Sequence, residues 1–140
     1  MEDKKVIVAG AKLFAAAAGV LLAGFWIVWV ATAYLKNRSV LKEFEPAIKE
    51  AKSLGLDYDT VLAGGNKYED KNVLWCVQNR GEEAVSYKGD PGRRLAVSNF
   101  PAMPLVSGSK HESCSDMLLK VKSGNAANGV VTVRFMHNFK

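Results

Sequence analysis

The sequence is poor in the groups on which enzymes usually depend. Its 140 residues include two histidines, His111 and His137, and two cysteines, Cys76 and Cys114. No Gly-x-Ser-x-Gly nucleophile elbow occurs, and two histidines offer few general bases, so serine-hydrolase chemistry is not expected. Gly64-Gly65 and Gly89-Asp90-Pro91-Gly92 read as turns, because no Gly-Lys-Ser/Thr follows to make a phosphate loop. Glu82-Glu83 is an adjacent pair whose side chains diverge, a solvated hairpin tip rather than an acid–base couple. Like charges never run to five or six, and no basic stripe is interleaved with aromatics, which argues against a nucleic-acid partner. The chain is therefore read as a non-enzyme with no cofactor.

The chain holds soft metal-ligand types without a specific ligand spacing. His111, Cys114 and Met117 are spaced three apart, and His137 and Cys76 would complete a soft sulfur–imidazole set suited to copper or zinc. The paired CxxC or HxxxH spacing that makes such a set specific is missing, so no metal ligand is assigned.

What the chain does have is a long apolar run near its start. Residues 13–35, from Leu13 to Leu35, carry no charge, and Val6 to Ala11 extends the run beyond Lys12. As a helix, 23 residues rising about 1.5 Å each span about 34 Å, enough for a hydrocarbon core of about 30 Å. Lys4, Lys5 and Lys12 precede the run, Lys36 and Arg38 end it, and Trp26, Trp29 and Tyr34 stand where aromatic rings prefer the headgroup boundary. Ala31-Thr32-Ala33 has the small-x-small form of a signal-peptide cleavage site, but the run far exceeds the roughly 7–15 apolar residues of a signal peptide. A transmembrane helix is expected over 13–35, behind an N-terminal tail of residues 1–12.

One stripe of this helix has small side chains. Ala11, Ala15, Gly19 and Ala23 recur every fourth residue, with Ala16 and Gly24 beside them. In lipid, helices associate through close backbone packing, which small residues permit, so the stripe predicts contact with other membrane helices. No His, Asp, Glu or Cys lies between Leu13 and Leu35, which argues against a haem ligand or proton relay there.

Residues 36–66 read as an amphipathic helical connector. Ser39 can cap a short helix with Val40, Phe44 and Ile48 on one face; Pro46 is expected to end it and start another, running to Ser53 with Gly55 as its stop. Asp57 is a capping residue for a further turn, Tyr58 to Ala63.

Residues 67–140 read as a β-rich extramembrane domain. Val73, Trp75 and Val77 alternate with Leu74, Cys76 and Gln78; Ala84 to Lys88 is a second strand and Arg94 to Phe100 a third. After the loop Pro101 to Ser113, Asp116 to Lys122 is a fourth, with Met117, Leu119 and Val121 inward. Val130 to Asn138 is the fifth, with Val131, Val133 and Phe135 inward. Five short strands separated by turn residues suggest a small barrel or sandwich.

The segment Tyr68-Glu-Asp-Lys-Asn-Val-Leu-Trp-Cys-Val resembles the opening strand of small bacterial OB-fold domains, a likeness that covers roughly Asp57 to Asn138. The helix usual between strands three and four is replaced here by the loop Pro101 to Ser113. The resemblance implies a five-stranded OB-like barrel in which strands one and four are neighbours. Cys76 and Cys114 would then be placed for a disulfide; the alternative is two unrelated thiols, one buried.

The expected fold is thus a single transmembrane helix plus a small mainly-β domain with short connecting helices. The first functional expectation is an accessory, structural subunit. Its helix packs on other transmembrane helices of a larger complex in the bilayer (electron-transfer, photosynthetic, transport or secretion type), while its β domain docks on an extramembrane partner. The alternative is a membrane-tethered OB-like module for a peptide, glycan or nucleic acid, with Tyr87, Trp75 and Phe100 as candidates for its surface, although Trp75 reads rather as a core residue. Lys4, Lys5 and Lys12 tie with Lys36, Arg38 and Lys42 under the charge rule. The cysteines tip the expectation to a cytoplasmic N-terminus and a periplasmic β domain, where disulfides persist.

Overall fold

The computed structural model describes the backbone of residues 2–106 and 113–139, and the side chains of 22, 24–36, 38–106 and 113–139. The chain forms two compact units, Met1–Glu43 and Phe44–Lys140.

The first unit is helical throughout its described backbone and belongs to α1, Glu2–Leu54. Its described side chains from Gly24 to Lys36 are all exposed. Among the described residues, no helix is long and apolar enough to cross a membrane. Leu13 to Leu21 and Ala23, part of the expected span, fall outside the described side chains, as does the whole stripe Ala11, Ala15, Gly19 and Ala23.

The second unit begins with the last turns of α1. Pro46 does not divide the helix as the sequence led us to expect: α1 continues through it to Leu54. Pro46 has no N–H to give the Lys42 carbonyl, a local loss, but the following turns are held from outside. Ala51 is buried, Phe44 stacks on His137 at 5.1 Å, and the Glu50 carboxylate accepts a hydrogen bond from Asn72 Nδ2 and lies 3.8 Å from Lys71 Nζ. Gly55, at φ +54°, ends the helix. Asp57 caps α2, Tyr58–Gly64, accepting from the Thr60 N–H at 2.8 Å, and a 3-10 turn, Gly65–Tyr68, leads into the sheet.

Five strands follow: β1 Asn72–Asn79, β2 Val85–Tyr87, β3 Arg94–Val97, β4 Ser115–Asn125 and β5 Val130–Asn138. They close into a barrel in the order β1-β2-β3-β5-β4, with β4 returning to β1. All pairings are antiparallel except β3 with β5, which run parallel from Arg94↔Val130 to Val97↔Val133. The long β4–β5 ribbon carries two register shifts, at Leu118/Leu119 and Val121/Ser123. Such bulges sharpen the bend a small barrel needs to close.

Strand alternation decides what fills the barrel. Val73, Trp75, Val77, Val85, Tyr87, Leu95, Met117, Leu119, Val121, Val131 and Val133 are buried together with Tyr58 and Val61 of α2, and Val97 and Phe135 pack against them. Each such aliphatic side chain contributes about 1.5–3 kcal/mol when taken from water. Leu118 is fully buried although its register places it among the outward residues of β4. It pairs with Leu74 and His137, on the face where Phe44 and Glu50 of α1 meet the sheet.

Candidate functional site

Three surface features stand out in the described residues. The first is the apolar part of α1. Phe25, Trp26, Ile27, Val28, Trp29, Tyr34 and Leu35 each expose 62–70% of their surface. Trp26 and Trp29 lie one turn apart with ring centroids at 6.3 Å. A continuous apolar surface of this kind is rare on a freely soluble protein and marks contact with lipid or another protein.

The second is the disulfide region. Cys76 on β1 and Cys114 just before β4 are bonded, with Cα atoms 5.3 Å apart. The antiparallel register that sets Cys76 opposite Asp116 and Val77 opposite Ser115 brings the two cysteines to the same edge. On the chain-entropy model, closing a loop of this length contributes about 4 kcal/mol. Cys76 also lines a cavity of about 380 Å³ with Lys52, Asp57, Lys88 and Asp116.

The third is a groove of about 310 Å³ outside β2, lined by Gln78 and Arg80 from β1 and its turn, Glu83 to Ser86, Pro91 and Arg94. Its chemistry follows from strand parity. Val85 and Tyr87 point into the core, so Ser86 points out and forms the floor at 7% exposure. Gln78, 2% exposed, donates from Nε2 to the Ser113 carbonyl at 3.0 Å. Arg94, the first residue of β3, is exposed at the groove's side.

The soft-ligand set considered from the sequence does not assemble. Cys76 and Cys114 bind each other, Met117 is a fully buried core residue, and His137 stacks on Phe44 and meets Phe139 edge-on; His111 lies outside the described residues. Nor do the candidate aromatics form a binding face: Trp75 is core, as its alternation with Val73 and Val77 suggests, and Tyr87 is buried with it. Trp75 and Tyr87 are core residues with centroids 5.3 Å apart, Tyr58 packs on both, and Phe100 is partly buried against the same core. The signal was in the sequence: Tyr87 shares parity with Val85. Trp75 Nε1 donates to the Leu56 carbonyl at 2.7 Å, which satisfies its one polar group inside the core.

Two structural asparagines, Asn79 buried and Asn99 half-buried, have roles that the sequence reading does not find. Asn79, fully buried, donates from Nδ2 to the Pro104 carbonyl at 3.0 Å and accepts from the Gly81 N–H, tying the loop after β3 to the end of β1. Asn99 acts as a strand edge for β5, accepting from the Phe135 N–H and donating to its carbonyl at 2.8 and 2.9 Å. The Asn79–Gly81 contact is local and belongs to the Asn79-Arg80-Gly81 turn, but the Pro104 and Phe135 partners lie 25 and 36 residues away and leave no sequence signature.

Compared with known protein families, curated proteins and solved structures, the chain matches none.

Proposed function

We propose that this chain is a single-pass membrane protein whose residues 13–35 span the bilayer, and that it serves as an accessory, structural subunit of a larger integral-membrane complex. The observation that carries this reading is the exposed apolar surface of α1 from Phe25 to Leu35. Water is a poor solvent for such a surface, and lipid or a neighbouring membrane helix is a good one. The described apolar side chains cover only part of the uncharged run of 23 residues, whose full length suits a crossing of about 20 residues.

In this account the barrel docks on an extramembrane partner, while Ala11, Ala15, Gly19 and Ala23 meet other transmembrane helices. The strand order β1-β2-β3-β5-β4 and the parallel β3–β5 pair support an OB-like reading of the barrel. Burial of Trp75 and Tyr87 weighs against the alternative, a glycan- or nucleic-acid-binding module, which would present such rings to its ligand. The disulfide supports a periplasmic barrel and a cytoplasmic N-terminus.

Co-purification in mild detergent tests the subunit role. Gly19→Leu would hold neighbouring helices apart, so the variant is expected to lose its membrane partners while the barrel melts unchanged. Normal assembly of Gly19→Leu would remove the helix-packing part of the account. Maleimide labelling of Cys76 and Cys114 tests orientation. With a periplasmic barrel, an impermeant reagent labels intact cells only after reduction and unfolding; labelling that requires opening the membrane places the barrel in the cytoplasm.

A further inference from the structure

A like-charge pair stands on the outside of the barrel. Lys120 of β4 lies directly opposite Arg134 of β5. Their strand neighbours Leu119, Val121 and Val133 fill the core, so both side chains point outward, Lys120 half-buried and Arg134 exposed. Neither makes an ion pair among the described residues. Asp70, which feels the charge of Lys120, is held by Lys122 at 2.7 Å. Like charges directly opposite on an antiparallel pair destabilise it. Lysines often protect an exposed sheet edge, but β4 and β5 are paired on both sides in the closed barrel, so no edge is protected here. The surroundings carry the same sign. In the parallel register Ala96 lies beside Thr132, and Arg94 begins the same outward face of β3. Arg94 and Ala96 of β3, Thr132 and Arg134 of β5, and Lys120 of β4 together present three cations and no carboxylate.

We propose that this outer face of β3, β5 and β4 is the barrel's docking surface, and that it receives an acidic segment of a partner protein, with one carboxylate shared by Lys120 and Arg134. Directly opposite residues have Cβ atoms about 4.5–5.5 Å apart, so both cationic heads reach a single carboxylate. The guanidinium matches its two oxygens, and the ammonium adds a point charge. The pair is therefore unfavourable in the free chain and favourable in the complex. The small side chains of Ala96 and Thr132 leave room beside it for a peptide backbone. Asp70, beside Lys122, would repel a continuous anionic lipid surface, whereas a protein segment need place its carboxylate only at the Lys120–Arg134 pair. The inference rests on the reading of the barrel as a docking module and names its docking face and the chemistry of its partner.

The test uses the full chain in neutral detergent and a rhodamine-labelled heptapeptide with an Asp-Glu-Asp centre, followed by fluorescence anisotropy at low ionic strength. Binding is expected, weakening with added salt and absent for the Asn-Gln-Asn peptide. Lys120→Gln and Arg134→Gln are each expected to weaken it roughly tenfold, as loss of a charged hydrogen bond predicts. Lys88→Gln, outside this face, leaves it unchanged. Thermal melting of the same variants without peptide gives a second readout. Each removes the repulsion, so each is expected to raise the barrel's Tm by roughly 1–5 °C, and the double variant should gain no more than either alone. No binding of the acidic peptide, equal binding by Arg134→Gln and Lys88→Gln, or a lowered Tm in both single variants would each overturn the proposal. Stronger displacement of the peptide by glycerol 3-phosphate or inorganic phosphate than by unlabelled peptide would overturn it in favour of a headgroup or a free phosphate. Failure here leaves the membrane anchor standing, because anchoring is read from membrane extraction and not from the barrel's outer face.

Discussion

The Tyr58 hydroxyl lies 2.9 Å from the carbonyl of Arg94 and 2.8 Å from that of Gly129. Those carbonyls flank the position where the parallel pairing of β3 with β5 begins, at Arg94↔Val130. A single side chain from α2 therefore fastens the helix to the two strands that a hairpin cannot join directly. Burial raises the Tyr58 phenol above its ordinary pKa, so the hydroxyl remains a donor across the physiological range.

Tyr58→Phe keeps the ring packing on Trp75 and Tyr87 and removes only the donor. The expected cost is about 1 kcal/mol, a fall of roughly 4–8 °C in the barrel's Tm. Tyr58→Ala also empties ring volume from the core and should cost about 3–5 kcal/mol. Thermal unfolding followed by near-ultraviolet circular dichroism separates the two.

Gly124 marks where α2 crosses β4. A Cβ there would lie 2.5 Å from the Val61 carbonyl oxygen and 3.3 Å from the Leu62 Cα. Gly124→Ala must push backbone away from backbone and should destabilise the barrel by about 1–3 kcal/mol. Gly129 is the control. It has φ +61° but nothing within 4 Å of an added Cβ, so Gly129→Ala carries only the backbone penalty, about 1 kcal/mol. Urea unfolding of both variants checks the ranking.

Asp57 gives the fold an acid-sensitive cap. Its hydrogen bond from Thr60 holds the carboxyl below its ordinary pKa of 3.8. A carboxyl with a depressed folded pKa stabilises the fold above the unfolded value, and that contribution is lost as pH falls through the folded one. The cap is thus fully effective at neutral pH and fades as pH drops below 3.8. Asp57→Ala should cost about 1 kcal/mol at neutral pH, whereas Asp57→Asn should keep most of the cap and lose this part of the acid dependence. Unfolding midpoints measured across the acid range test both.

Much of the barrel was legible because strand alternation is local. Val73, Trp75 and Val77, or Met117, Leu119 and Val121, declare their inward face within a few residues. Strand ends were less so. The third strand stops at Val97 rather than Phe100, because the Asn99 side chain takes over hydrogen bonding to Phe135. The fourth runs on to Asn125 through a register shift that no local pattern signals. Pro46 was read as a helix break from its own chemistry, whereas contacts of Phe44, Glu50 and Ala51 with the unit around them sustain the helix. The groove outside β2 was invisible in the sequence because it joins Gln78, Ser86 and Arg94 only through the β1–β2–β3 register.

The central claim is that the apolar run of α1 holds this chain in a bilayer, and alkaline carbonate extraction of membranes containing the full chain tests it most directly. The account predicts that the chain stays with the membrane pellet and floats with lipid on a density gradient. The double variant Leu21→Lys, Phe25→Lys, near the middle of the run, is predicted to be released, since each lysine at the helix centre costs roughly 2.5–3.5 kcal/mol. Release of the unaltered chain into the alkaline supernatant would contradict the account.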